Sequence, residues 1–149
     1  MDYRNTEEKN YYGSDLNKFV NEECSKEMTV INIDMLEYKR SLKKIRIIES
    51  KHNNERMPKS QEEILKIFAK IFRFLNGLSD WINTQFNIDF KYYELFIVTG
   101  TFPYKTTRID DWVNNKSFNL DNENLKRFLE FKDFDHIPKE NYESSLSEV

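Results

Sequence analysis

The chain has 149 residues, with 23 Lys and Arg against 26 Asp and Glu, a net charge of −3 and a mean hydropathy of −0.80. That length and a 38% hydrophobic, 15% aromatic composition fit one soluble globular domain over residues 1–149. There is no apolar run of about 18 residues, which excludes a membrane span, and a lone Cys24 with two histidines excludes a disulfide and any Cys- or His-rich metal centre. The polar start Met1-Asp2-Tyr3-Arg4 lacks an apolar leader and points to a cytoplasmic protein.

In chain order, residues 1–12 read as a polar, flexible lead-in. Ser14 or Asp15 caps a short helix to about Cys24. Met28 to Tyr38 is β-branched and partly alternating, and Lys44 to Lys51 is a second apolar run, so both read as strands. The polar link around Arg40-Ser41-Leu42-Lys43 joins them without a glycine. Pro58 and Ser60 open the strongest helix, with Ile64, Ile67, Phe68, Ile71, Leu75, Leu78 and Ile82 at spacings of three and four. This stripe is expected to be core, with a break near Asn76-Gly77 and a resumption through Trp81. Lys91 to Thr99 reads as a buried strand, Lys105 to Trp112 as an edge strand, and Asn119 to Phe131 as a helix capped by Asp121. Residues 135–149 form an acidic, Ser-rich, flexible tail. Trp81, Trp112, the phenylalanines and Cys24 are assigned to the core. The pattern defines a mixed α/β (α+β) class, a small central mixed sheet flanked by helices.

The charge is uneven. Residues 1–27 and 130–149 are acidic, whereas residues 37–59 hold eight basic and three acidic groups. This basic segment surrounds the chemistry-bearing residues. In a strand, Glu49 and Lys51 share a face. A hairpin centred between Ser41 and Leu42 sets Asp34 opposite Glu49 and Asn32 opposite Lys51, with Cβ atoms of a pair about 5 Å apart. A one-residue slip would destroy the arrangement. Two converging carboxylates need neutralising, by Lys51 and by a divalent cation. Oxygen ligands suit Mg²⁺ (or Mn²⁺). The same residues also fit an ordinary hairpin carrying a surface Glu–Lys pair, which would contribute under about 1 kcal/mol.

The order helix, Asp34 strand, Ile45-Arg-Ile-Ile-Glu49-Ser-Lys51 strand, helix resembles the PD-(D/E)XK phosphodiesterase superfamily of restriction enzymes, Holliday-junction resolvases and repair nucleases, over about residues 13–75. Ile33 stands where the name-giving Pro would precede the Asp. The resemblance implies a restriction-endonuclease-like core in which Asp34 and Glu49 hold the metal and Lys51 acts on the attacking water. In some relatives a Gln on the following helix contributes, here Gln61, and in others an acidic residue of the first helix, here Asp15, Glu22 or Glu23. Lys39, Arg40, Lys43, Lys44, Arg46, Arg56 and Lys59 would track a nucleic-acid backbone. His52 is weighed as a phosphate contact against a surface loop residue. Tyr11 and Tyr12 are candidates for base stacking. The expected function is Mg²⁺-dependent hydrolysis of DNA, with RNA also open, aided by a homodimer or a protein partner. The alternatives are a non-catalytic interaction or inhibitor protein on the same fold, and a nucleic-acid-binding module without catalysis.

Overall fold

The computed structural model describes residues 15–25 and 33–137. The chain divides into two units, residues 1–32 and residues 33–149. In the first unit, helix α1 spans Asp15–Glu23; Asp15 is its first residue and not its cap, and Ser14, the other expected cap, lies outside the described residues. Its Leu16 and Phe19 are exposed, and so is Cys24, which corrects its assignment to the core.

The second unit is a five-stranded mixed sheet with helices, an α+β fold. Strand β1 (Met35–Lys39) is followed by a 3₁₀ turn (Arg40–Leu42) and β2 (Lys44–Lys51). Helices α2 (Lys59–Gly77) and α3 (Ser79–Phe86) lead to β3 (Tyr92–Thr99), β4 (Thr106–Asp111), β5 (Lys116–Asp121) and α4 (Asn122–Leu129). The strands lie in chain order across the sheet. Only β2 and β3 pair in parallel, because α2 and α3 carry the chain back between them; the other neighbours are antiparallel. Among the described residues no helix is long and apolar enough to cross a membrane.

The β1–β2 register is the one expected from sequence. Met35 pairs with Ile48 and Lys39 with Lys44, which centres the hairpin between Ser41 and Leu42. No glycine is needed, because Lys43 takes the left-handed conformation (φ 55°) that closes the 3₁₀ turn, its N–H donating to the Arg40 carbonyl at 3.0 Å. The described part of the first strand is shorter than the predicted Met28–Tyr38, and residues 28–32 lie outside the described residues.

β2 and β3 are covered on both faces, which is why they read as apolar runs rather than as alternation. On one face Ile47, Leu95 and Ile97 pack with Leu65 of α2 and with Val113. On the other, Ile48, Phe96, Val98, Ile109 and Leu120 pack with Leu125 and Phe128 of α4. Phe96 and Phe128 meet edge to face, with centroids 4.9 Å apart, a geometry that adds about 1 kcal/mol beyond the area buried.

Three further expectations are corrected. First, α2 turns Gln61, Leu65 and Ala69 inward, while Ile64, Ile67, Ile71 and Leu78 of the predicted core stripe are exposed. The helix is apolar on two faces, and periodicity alone does not say which one meets the sheet. Second, the predicted edge strand at Lys105–Trp112 is interior, because Lys116–Asp121 adds β5 outside it; Asn119 belongs to that strand, and α4 starts only at Asn122. Third, Trp81 is exposed, and so are Phe74, Phe86 and Phe102, whereas Trp112 packs partly buried against the α2-side core. Two other expectations hold: the helix breaks at Gly77, and Asp121 caps α4 by accepting from the Asn124 N–H at 2.8 Å. The proposed flexible segments at 1–12 and, beyond Ile137, in the tail lie outside the described residues.

Candidate functional site

β2 ends in a polar trio on the face covered by α2. The strand's period of two puts Ile45, Ile47, Glu49 and Lys51 on that face. The loop after β2 then turns at His52–Glu55, where Glu55 N–H donates to the His52 carbonyl at 3.1 Å and Asn54 takes a positive φ. Pro58, whose fixed φ and missing N–H suit a helix entrance, brings the chain into α2. The first inward residue of that helix is Gln61.

Glu49, Lys51 and Gln61 are all buried. The Lys51 ammonium donates to Gln61 Oε1 at 2.9 Å and lies 3.4 Å from Glu49 Oε1. Gln61 Nε2 donates to the same Glu49 Oε1 at 2.7 Å. The amide is thus oriented by its neighbours: oxygen toward the ammonium, NH₂ toward the carboxylate. Burial is the main cause that raises the Glu49 carboxyl above its ordinary proton affinity, and the Asp34 charge adds to it; Gln61 and Lys51 act in the opposite direction. The second carboxylate oxygen, Glu49 Oε2, is buried without a hydrogen-bond partner. A buried acceptor left in that state is costly, so it marks a place where a ligand would be bound with gain.

Asp34 lies one residue before β1, at a bend, so the strand stops just short of the Asp34–Glu49 pair that its register would reach. Its side chain is exposed, and Oδ2 accepts from the backbone N–H of Ser50 at 2.9 Å. The carboxylate therefore sits at the edge of β2 beside Glu49, with Oδ1 left for another partner. Asn32, expected opposite Lys51, lies outside the described residues. Asp15, Glu22 and Glu23 are exposed residues of the first unit.

The structure also brings in residues that sequence reasoning missed. Glu55 Oε1 lies 3.9 Å from the Lys51 ammonium, and its Oε2 accepts from the His52 N–H at 2.7 Å. The Asn53-Asn54 pair was the available signal, a turn that folds residue 55 back on residue 51. Beside the trio, Lys51, Glu55, Arg56, Glu62, Thr99 and Trp112 help line a cavity of about 360 Å³.

The predicted basic tract is divided in space. Arg56 is exposed and lines the cavity, Lys59 is exposed at the first position of α2, and His52 is an exposed loop residue. Lys39, Arg40, Lys43 and Lys44 sit at the hairpin end of β2, about 23 Å from Lys51 at 3.3 Å per residue. There Lys43 pairs with Asp89 at 3.1 Å, and the Lys44 ammonium lies over the Tyr92 ring. Arg46 is buried on the α4 face: it pairs with Glu37 at 2.8 Å, donates to the Phe128 carbonyl at 2.5 Å and stacks 3.8 Å from the Phe131 centroid. Those interactions fix it as a packing residue and remove it from any backbone-tracking set. Tyr11 and Tyr12 lie outside the described residues.

No protein-family model, curated protein or solved structure matches the chain.

Proposed function

We propose that this protein is a metal-dependent nuclease that hydrolyses DNA phosphodiester bonds at the carboxyl end of β2, on a restriction-endonuclease-like core. The observation that carries the reading is the buried Glu49 carboxylate, which has one oxygen held by Gln61 and Lys51 and the other without a partner. Among the described residues no group of three or more His, Cys, Asp or Glu side chains could hold a metal. The donors we assign to the ion are Glu49 and Asp34, whose charge acts on the Glu49 carboxyl and whose Oδ2 is tied to the neighbouring Ser50 N–H. Two carboxylates fit Mg²⁺ or Mn²⁺, since Mg²⁺ keeps several waters and takes remaining ligands from substrate phosphate.

When bound, the ion would lower the pKa of water and polarise the phosphoryl oxygen. The chain's own groups do the rest. Gln61 fixes Glu49 and Lys51 relative to one another, so neither has to reorganise. The Lys51 ammonium presents a positive charge where negative charge develops on the phosphate oxygens. Exposed Arg56 at the cavity, and Lys59 at the start of α2, supply phosphate contacts.

The test is cleavage of duplex, branched and single-stranded DNA, and of RNA, by the full chain with and without Mg²⁺. Cleavage is expected to need the metal and to fall by about 100-fold or more in Glu49→Gln and in Lys51→Met, with the circular dichroism spectrum retained. Methionine is used because Lys51 is buried and alanine would leave a void. Arg56→Ala and Lys59→Ala should weaken binding on every sequence and each lower the salt slope by about one. Cleavage unchanged in both Glu49→Gln and Lys51→Met would overturn the assignment. Salt-sensitive binding without cleavage or metal response would favour a binding module instead.

A further inference from the structure

β2 and β3 run in parallel, so their carboxyl ends open on the same side, with Lys51 beside Thr99. The carboxyl ends of parallel strands are where open sheets bind their ligands. At that end lies the cavity of about 360 Å³ next to the trio, at the small end of the roughly 300–1,000 Å³ of ligand clefts. A cavity of this size takes one small organic group and not a stretch of double helix. Part of its lining is apolar: Ile97 from β3, Met57 from the loop before α2, and Trp112, the residue after β4. The Trp112 backbone is fixed by its N–H, which donates to the Leu95 carbonyl at 3.1 Å. Its partly buried side chain packs against the core built from Ile47, Leu65 and Ile97.

The charges in the lining say which part of a nucleotide fits. Among the described residues, two cations, Lys51 and Arg56, are matched there by two carboxylates, Glu55 and Glu62. The Lys51 ammonium is already engaged by Gln61 and Glu49. A phosphate therefore gains little from entering. A neutral, flat group with hydrogen-bond donors and acceptors on its edge gains on each count: its face on Trp112, its edge on the carboxylates, Arg56 and the Thr99 hydroxyl. A nucleobase is such a group. Lys51 belongs both to the trio and to the cavity lining, so a base in the cavity and a phosphate at Glu49 fall within one nucleotide of each other. A paired base has to leave the duplex stack to enter, a cost that an unpaired base does not meet.

We infer that the cavity is a subsite for a single unpaired nucleobase stacked on Trp112, which makes single-stranded or locally unpaired DNA the substrate class of this site. The substrate assignment rests on the proposed nuclease activity, whereas base binding is read without cleavage. The chain holds two tryptophans, and Trp81, 57% exposed, is outside the cavity lining. Trp81→Phe therefore leaves Trp112 as the one indole to report. In that full-length variant, with EDTA present, a short oligodeoxythymidylate is expected to quench the Trp112 emission saturably. The same strand annealed to its complement should do so with a Kd at least about tenfold weaker. Trp112→Ala should weaken binding of the labelled single strand about tenfold, and Trp112→Phe, which keeps an aromatic face, should hold it within about threefold of wild type; circular dichroism checks the fold of each. No quenching, equal quenching by the two forms, or wild-type binding by a folded Trp112→Ala would overturn the inference. Quenching by the single strand without Mg²⁺-dependent cleavage would overturn the nuclease reading and leave the base subsite standing. Cleavage of duplex and single strand alike, without quenching, would do the reverse.

Discussion

Gln61 makes two hydrogen bonds, one to each charged member of the trio. Gln61→Ala removes one hydrogen bond from each of Glu49 and Lys51 in a buried setting, leaving them their mutual ion pair, and is expected to lower stability by about 1–3 kcal/mol in urea denaturation. A cost indistinguishable from zero would show that the amide is not holding the pair. Glu94 poses a different single-residue question on the opposite face of the sheet. Its Oε1 is buried without a partner, and burial raises its carboxyl, with Asp111 adding to the rise while Lys44 and Arg46 oppose it. A raised value in the folded state means that the folded chain binds more protons than the unfolded chain between the ordinary value of 4.5 and the raised one. Stability from this group is therefore lost as pH climbs through that interval, and no penalty exists below it. Glu94→Gln is neutral throughout, so its Tm relative to wild type should increase as pH rises above 4.5 and then level off. A difference that stays flat across the scan would contradict the assignment.

Elements differ in how clearly their residues announce them, and α2 shows why. Both of its faces are apolar, so spacing reveals the helix but not its orientation; that is decided by Leu65, which is 1% exposed and meets Ile47, Leu95 and Ile97 across the sheet. Leu65→Ala should cost about 2–5 kcal/mol in the same denaturation measurement. β2 was legible because an unbroken apolar run ending in Glu-Ser-Lys leaves few alternatives; its register with β1 was not, since the glycine-free link admits other centres, and the structure adopts the one centred between Ser41 and Leu42. β5 was not legible. Lys116-Ser-Phe-Asn-Leu-Asp turns only Phe118 and Leu120 inward, and it depends on a turn in which Asp111 Oδ1 accepts from the N–H groups of Val113 and Asn114 while Asn115 adopts a positive φ. That is side-chain turn chemistry with no glycine to flag it. The cap of α4 was readable, since Asp121 precedes a helical pattern. Asp121→Ala should cost about 1 kcal/mol.

For the whole molecule, the charge pattern changes meaning once it is folded. The basic tract of residues 37–59 is one stretch in sequence, yet β2 separates its two ends by about 23 Å, and Arg46 between them is turned into the core. On the proposed function, backbone capture at the site would rest on Arg56 and Lys59, with the hairpin lysines available only to a longer substrate. The trio was legible as Glu49, Lys51 and a suggestive Gln61. The burial that gives it chemistry was not legible, because that depends on α2 closing over β2. The central claim is that Glu49 is a metal ligand and not merely the partner of a buried lysine. The most direct measurement is the thermal stability of the full chain titrated with Mn²⁺, with wild type, Glu49→Gln and Asp34→Asn side by side. Wild type is expected to show saturable stabilisation, about 2.7 kcal/mol at 100 times Kd, abolished in Glu49→Gln and weakened in Asp34→Asn. Equal stabilisation in all three proteins, or none in wild type, would contradict the claim.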